Sequence, residues 1–113
     1  MKTADLAGDA LDAVVARLEG RAPGVKGIDT DGHFSPSTDW AAAGPIIERL
    51  KIHVAPMPGK GWVWCAIVVT EHERSAADRG TWMEGRTPLV AAMRAYVVSR
   101  LGDEVTLDLS IPR

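Results

Sequence analysis

Length, charge and cysteine content exclude several classes of protein for this chain of 113 residues. Its composition, 46% hydrophobic and 25% charged, is that of an ordinary globular protein, so we expect a single domain over 1–113. One cysteine, Cys65, cannot form an internal disulfide, which excludes a disulfide-framed secreted scaffold. The net charge is −2 and the 13 Lys and Arg residues are scattered, which argues against nucleic acid as the partner.

The sequence predicts neither a secretory signal nor a membrane span. Three acidic residues, Asp5, Asp9 and Asp12, interrupt the N-terminal stretch in which a signal peptide needs an apolar run. The longest strongly apolar stretch, 62–69, is far too short to cross a bilayer. We therefore expect a cytoplasmic protein with no membrane partner.

The first predicted element is a helix over 4–18, with Thr3 as its N-cap and Gly20 just past its end. Its apolar residues recur at helical spacing and share one side: Leu6, Ala10, Leu11, Val14 and Leu18. Three glycines and two prolines then predict a loop over 21–36, in which a short extended piece around 25–28 is one option.

The segment 37–50 predicts a second helical region that is complicated by Pro45. Residues 37–39 are all favourable N-caps, and the residues after them favour helix. Proline disfavours the α conformation at the residue before it and removes a backbone donor. We favour a short turn at 39–43 followed by a helix that begins near Pro45, and one kinked helix is the alternative.

Two segments rich in β-branched and aromatic residues, 51–55 and 62–70, predict an antiparallel hairpin, because the connection between them contains Gly-Lys-Gly. The second strand is apolar on both faces, whereas a strand with one wet face alternates apolar with polar residues. We therefore expect it to be central and covered on both sides, or to meet another chain with one face.

A long, charged and glycine-bearing excursion is predicted over 71–86, and we expect it to be the least ordered internal segment. Thr87 then caps a strong helix with a proline at its first position and Gly102 beyond its end. The alternating tail 105–111 could add a strand. Together the elements predict an α+β fold: a small antiparallel sheet built on the hairpin at about 51–70, with the N- and C-terminal helices packed on one face.

Cys65 and His53 are candidates for a catalytic nucleophile and its base, since a nucleophilic thiol needs a base within hydrogen-bond reach. A symmetric hairpin would place His53 opposite Ala66 and Cys65 opposite Val54, so that the two side chains point to opposite faces. We therefore interpret the thiol as inert packing and assign no catalytic residue.

No metal or cofactor site is recognised in the sequence. Asp29, Asp31 and His33 resemble the start of a calcium loop, but the glycine and glutamate that an EF-hand needs are missing. No His or Cys cluster has zinc spacing, and no phosphate-binding glycine loop is present. We expect neither a metal nor a cofactor.

Arg94 lies inside the apolar arc of the C-terminal helix, at mid-helix. A guanidinium in that position should be largely buried and needs a carboxylate or several carbonyls as partners. We expect Asp39 or Glu48 as the partner, so that a structural salt bridge joins two helices. An anion-binding role is the alternative.

Two runs, STDWAAAGPIIERLKI and the later GRTPLVAAMRAYVVSRLGDEV, resemble the NinX-like proteins of lambdoid phages and prophages. That family pairs an S-T-D-W-x-x-x-G-P-I-I-E segment with a T-P-L-x-A-A-M-R-x-Y-V helix that ends in G-D-E-V. The resemblance implies a phage or prophage origin and an accessory protein, and it carries no activity. It directs attention to a shared set of candidate binding residues: Thr38, Asp39, Trp40, Glu48, Thr87 and Arg94.

We expect a non-enzymatic accessory protein in the cytoplasm of a bacterial host that binds a host protein or a small anionic ligand. A nucleic-acid-binding accessory protein is one alternative, and a small hydrolase or transferase with an unrecognised site is the other. A homodimer through a face or the edge of the 62–70 strand is also expected, since two helices can cover only one face of a small sheet. Coverage of the second face by 21–36 or 39–50 is the competing explanation and would leave a monomer.

Overall fold

The computed structural model describes residues 1–20, 34–61, 63–69 and 82–105 of the chain. Within these residues the chain forms three α-helices and a three-stranded antiparallel sheet, which confirms the predicted α+β class. In chain order the elements are a 3-10 turn (Thr3–Asp5), α1 (Gly8–Leu18), α2 (Trp40–Leu50), β1 (His53–Met57), a second 3-10 turn (Pro58–Lys60), β2 (Val63–Ile67), β3 (Met83–Gly85) and α3 (Pro88–Leu101). The predictions for 25–28, for the acidic turn at 29–33 and for a strand after 105 lie outside the described residues.

The sheet has the order β1-β2-β3, so β2 is its central strand, as the apolar composition predicts. Trp64 and Ala66 on β2 share a face with Met83 on β3, and this face packs against the main core. Cys65 and Ile67 point to the other face and are also buried within the single chain. Because β2 is paired along both edges, association through its edge is not open to the described strand, and only its face stays a predicted contact between copies.

Helix α3 lies at the centre of the fold, against all three strands and against α1 and α2. Its buried residues cover roughly two-thirds of its circumference: Leu89, Ala91, Ala92, Met93, Ala95, Tyr96 and Val97. A helix with so wide an apolar face must pack against several other elements. Both predicted ends are confirmed, because the Thr87 hydroxyl accepts from the Val90 N–H at 3.1 Å and Gly102 follows the last turn at φ 86°.

The first helix begins later than predicted. Thr3–Asp5 forms a 3-10 turn, and α1 starts only at Gly8, where φ is +55°. Thr3 is not the N-cap, because its hydroxyl donates to the carbonyl of Gly102 at 2.6 Å. A tertiary hydrogen bond thus uses the side chain that local signals assign to capping. The other end agrees with the prediction, since Gly20 follows α1 at φ +79°.

The favoured expectation of a break before Pro45 is wrong, because α2 runs without interruption over Trp40–Leu50. The missing N–H of Pro45 would have bonded the carbonyl of Ala41, and both residues are exposed, so water can satisfy that carbonyl. Asp39 is the N-cap, and its carboxylate accepts from the Ala41 N–H at 3.0 Å. The alternative of a single helix is therefore correct.

The hairpin forms as predicted, but its register is shifted by one residue. His53 lies opposite Ile67 and Ala55 lies opposite Cys65, because the 3-10 turn in the connection centres the pairing on Lys60. His53 and Cys65 therefore lie on the same face, and their predicted opposite orientation is wrong. They are diagonal neighbours, one exposed and one buried, and no described hydrogen bond joins them.

The segment 71–86 is not wholly an excursion, because its last residues form β3. Met83–Gly85 pairs antiparallel with β2, and Met83 lies opposite Ala66. A strand of three residues is too short to display a period of two, so only its long-range pairing defines it. The predicted disorder over 71–81 lies outside the described residues.

Candidate functional site

The candidate residues at the start of α2 are exposed and have local structural roles. Asp39 caps the helix, and the Thr38 hydroxyl reaches the Ser35 carbonyl at 3.5 Å. Trp40 is 59% exposed. Glu48 lies about two turns further along, and its exposed carboxylate makes no described hydrogen bond or ion pair. Of this group, only the exposed indole has the character of an interaction residue.

Thr87 and Arg94 lie on α3, apart from the first group. Thr87 caps that helix, and Arg94 follows it by about two turns. No hydrogen bond or ion pair within the described ranges joins any two of the six candidates, and Asp39 and Arg94 line different cavities. The shared set is therefore not one site.

Arg94 is held by backbone carbonyls from two distant parts of the chain. Its Nε donates to the carbonyl of Leu6 at 2.7 Å, and its Nη1 donates to the carbonyl of Glu84 at 2.6 Å. The expected partners, Asp39 and Glu48, are therefore wrong. This side of α3 faces β3 and the residues before α1, so carbonyls take the place of the expected carboxylate.

The Arg94 guanidinium keeps its charge without an ion pair. Burial lowers the pKa of Arg94 and the Asp5 carboxylate opposes that shift, but a guanidinium stays protonated in proteins. Among the described residues, no carboxylate lies within ion-pair distance of it. The carbonyls use two of its five N–H donors, which leaves three for another acceptor.

Arg94 lines a cavity of about 370 Å³, which we call the Arg94 cavity. Its walls come from the residue before α1, from β2 and β3, and from the start of α3: Ala7, Val63, Glu84, Gly85, Arg86, Val90 and Arg94. The second arginine, Arg86, is exposed and makes no described hydrogen bond or ion pair. Two guanidinium groups beside an apolar wall form a cavity suited to a small ligand.

Two glycines shape this cavity, one by its size and one by its backbone conformation. Gly85 is buried against α3, and a Cβ at its position would lie 2.5 Å from the backbone nitrogen of Ala91. This close approach brings the Glu84 carbonyl within reach of Arg94. Gly8 has φ +55°, which other residues rarely adopt, and it begins α1 directly after Ala7, which lines the cavity.

The N-terminus of α1 adds a positive field at the same place. Ala7 is its N-cap and has no side chain that could accept from the N–H groups of the first turn. Those N–H groups and the helix dipole favour an anion near Ala7. Asp9 in the first turn, together with Asp5, offsets part of this field.

The sequence singles out Arg94, whereas Arg86, Ala7 and Glu84 escaped prediction as parts of its surroundings. Arg86 directly precedes the cap Thr87, and its spacing from Arg94 is about two helical turns. That spacing could have suggested two arginines near one side of the start of α3. Ala7 and Glu84 carry no local signal, because only the tertiary fold brings them to Arg94.

A second cavity, of about 310 Å³, is lined by Glu19 and Arg49, which form with Tyr96 a cluster that we call the Glu19 clamp. Arg49 donates to both carboxylate oxygens of Glu19, at 3.2 and 2.7 Å, and the Tyr96 hydroxyl donates to one of them. The hydrogen bonds from Arg49 hold the pKa of Glu19 below its ordinary value. The clamp joins the end of α1 to α2 and α3. Within it, the Glu19 carboxylate accepts hydrogen bonds from both Arg49 and Tyr96.

Comparison with known protein families identifies the relatives of the chain. The family model described as Bacteriophage P22, NinX matches residues 2–100. The chain belongs to this family. The match covers the first of the two runs that carry the resemblance and most of the second, so the resemblance is confirmed. No curated protein matches the chain.

Membership of the NinX family supports a phage-encoded accessory protein. The six candidate residues and all residues that line the Arg94 cavity lie within the matched span.

In the part of the chain that the structure describes, no group of three or more His, Cys, Asp or Glu side chains could hold a metal ion. None of the helices in that part is long and apolar enough to cross a membrane.

Proposed function

We propose that this NinX family member is a non-enzymatic accessory protein that acts in the cytoplasm of the bacterial host by binding a small anionic ligand in the Arg94 cavity. One observation carries the proposal: within the described residues, the partly buried guanidinium of Arg94 has two carbonyl partners and no carboxylate partner. The carbonyls fix its position, and no described carboxylate lies within ion-pair distance of its charge. A bound anion would compensate this charge.

Electrostatics favour an anion at this position over water alone. A charge that is partly removed from water is costly unless it is paired, and charge-assisted hydrogen bonds are roughly twice as strong as neutral ones. Arg94 offers three unused N–H donors from a fixed orientation, so little conformational entropy is lost when it binds. Arg86 and the uncapped start of α1 add positive potential beside it.

An NMR titration with small anions tests this proposal. Inorganic phosphate, acetate and isovalerate are added to the full chain while the backbone amide signals and the Arg94 Nε signal are followed. We expect saturable shifts at the start of α1, at Arg86 and at Arg94 for at least one of these anions. The absence of any saturable shift at these positions would overturn the proposal.

Matched variants separate site binding from a general effect of charge. Arg86→Gln removes an exposed cation from the cavity, and Arg17→Gln removes an exposed cation that lines a different cavity. We expect the first to weaken anion binding about two- to fivefold and the second to leave it unchanged. Equal losses of affinity in the two variants would mean that anion binding depends on the net charge of the protein and not on the cavity.

A second candidate function, recognition of a host protein, is favoured by two exposed indoles. Trp40 and Trp82 are 59% and 52% exposed, and tryptophan is enriched at interaction hot spots. We expect Trp40→Ala or Trp82→Ala to lose a partner captured from host lysate, while Leu101→Ala, at a site 46% exposed, retains it. Identical capture by all three variants would contradict this candidate.

A further inference from the structure

We infer that Thr3 is a positioning residue of the Arg94 cavity and acts through the carbonyl of Leu6. This role deepens the proposed function and rests on it, because the orientation of Arg94 serves binding only if an anion enters the cavity. A series of hydrogen bonds carries the inference. It runs from the end of α3, through the first 3-10 turn, and back to Arg94 in the middle of the same helix.

Thr3 fixes this turn to the end of α3. Its hydroxyl donates to the carbonyl of Gly102 at 2.6 Å, and its backbone N–H donates to the carbonyl of Asp103 at 2.7 Å. Thr3 is fully buried, so water does not compete for its hydroxyl. Two short hydrogen bonds from one residue therefore hold the turn at a defined place on the helix.

Leu6 carries this position on to Arg94. The Leu6 N–H donates to the carbonyl of Thr3 at 3.1 Å, and the Leu6 carbonyl accepts from the Nε of Arg94 at 2.7 Å. The Leu6 side chain is buried in the core, which gives the residue a defined place. The orientation of its backbone also depends on the turn that its N–H closes, and the turn depends on Thr3.

Both ends of the series lie on one helix, so the helix serves as a rigid reference. Gly102 follows Arg94 by eight residues, which is about 12 Å along an α-helix. The turn bridges these two points and presents its last carbonyl to the guanidinium. An arginine that is already oriented loses less conformational entropy when it binds an anion than one that is free to rotate. Thr3 should therefore contribute to affinity without touching the ligand.

A purely structural role for the Thr3 hydroxyl leads to a different expectation. In that case the hydroxyl only satisfies the Gly102 carbonyl, and its loss lowers stability without any effect at Arg94. Three variants separate the two roles. Thr3→Val is nearly isosteric and removes the hydroxyl, and Thr3→Ser retains it. Ile46→Val, in the buried part of α2, lowers stability at a site that lines a different cavity.

The first measurement needs no ligand. The hydrogen-exchange rate of the Arg94 Nε–H is followed by NMR in the full chain and in each variant, and amide spectra confirm that the variants are folded. We expect Thr3→Val to raise this rate at least about threefold, since only the bond to Asp103 still holds Thr3 to the end of α3. Thr3→Ser and Ile46→Val should leave it unchanged. An unchanged rate in Thr3→Val, or an equal rise in Ile46→Val, would overturn the positioning role.

The second measurement is a titration of the same proteins with inorganic phosphate, acetate and isovalerate. We expect Thr3→Val to weaken the binding of these anions about fivefold, and Thr3→Ser and Ile46→Val to bind as the wild type does. Wild-type affinity in Thr3→Val, despite faster exchange of the Arg94 Nε–H, would overturn the link between Thr3 and binding. Absence of saturable binding by the wild type would overturn the proposed function, whereas faster exchange in Thr3→Val would still support the hold of the turn on Arg94.

Discussion

Two arginine-centred clusters on α3 and its neighbours differ in what completes them. In the Glu19 clamp, Arg49 meets a carboxylate that also accepts from Tyr96, so the charges cancel inside the protein. In the Arg94 cavity, the described hydrogen-bond partners of the arginine are the carbonyls of Leu6 and Glu84. Each cluster ties distant segments of the chain together, but within the described residues the arginine of the second cluster has no ion-pair partner.

The difference shows how a chain separates a structural charge from a binding charge. A carboxylate partner satisfies both the geometry and the charge of a guanidinium, whereas carbonyls satisfy the geometry alone. The Glu19 clamp therefore has little to offer a ligand. The Arg94 cavity presents a cation that is already oriented, which is the arrangement expected of a preorganised anion site.

The largest effect on stability is expected from a substitution that prevents the close contact between β3 and α3. In Gly85→Ala the new Cβ would lie 2.5 Å from the backbone nitrogen of Ala91, so β3 must move away from α3. This movement would break the hydrogen bond from Arg94 to the Glu84 carbonyl. We expect a loss of about 1–3 kcal/mol in the free energy of unfolding, measured by urea denaturation. Gly59→Ala is the control, because nothing lies near its Cβ position. Equal stability of the two variants would show that β3 does not depend on this contact.

Replacement of each arginine by methionine compares the two clusters directly. Arg94→Met leaves the carbonyls of Leu6 and Glu84 without donors and should cost about 1–3 kcal/mol in the free energy of unfolding. Arg49→Met should cost about 1 kcal/mol or less, since its side chain is 52% exposed and Glu19 keeps its hydrogen bond from Tyr96. Chemical denaturation at neutral pH measures both. A larger loss for Arg49→Met would reverse the roles assigned to the clusters.

The dependence of folding stability on pH should come in part from the Glu19 clamp and not from the Arg94 cavity. The folded-state pKa of Glu19 is lowered, first by its hydrogen bonds from Arg49, so its stabilising effect is complete above the unfolded pKa of about 4.3. It is lost as the pH falls through the lower folded-state pKa. We expect Glu19→Gln to destabilise the protein at neutral pH and to converge with the wild type as the pH falls below the folded-state pKa of Glu19.

Glu48→Gln is the matched control for this pH profile. Glu48 is exposed and its carboxylate has no described partner, so its replacement should leave the difference from the wild type small at every pH. Thermal unfolding between about pH 3 and pH 7 measures both profiles. Parallel curves for Glu19→Gln and the wild type would show that the clamp does not depend on the charge of Glu19.

The smallest expected effect is self-association of the protein. A homodimer remains a prediction. Cys65 and Ile67 are already buried within the single chain, so the exposed apolar part of that face of the sheet is smaller than the composition of β2 suggests. Association through the remaining part of the face, near Val63, should therefore be weak. Light scattering at micromolar concentration decides it, and a mass near 12.1 kDa at all concentrations would exclude a dimer.

Local signals in the sequence determined much of the fold. The cap at Thr87, the glycine after α3 and the glycine after α1 were all predictable, because capping is a property of a few adjacent residues. The central position of β2 followed from its apolar residues on both faces. Some burial of Arg94 also followed from its place in the apolar arc of α3, but the side chain is half-buried and not largely buried as predicted.

Tertiary structure alone decided the features that join distant residues. The Thr3 hydroxyl bonds Gly102 instead of capping a helix, and β3 exists only because it pairs with β2. Arg94 could be predicted to need acceptors, but the identity of those acceptors depended on the packing of α3 against β3 and the start of α1. The physical reason is that a helix period or a cap is set by neighbouring residues, whereas a hydrogen-bond partner is set by which backbone groups the packed core leaves unsatisfied within reach.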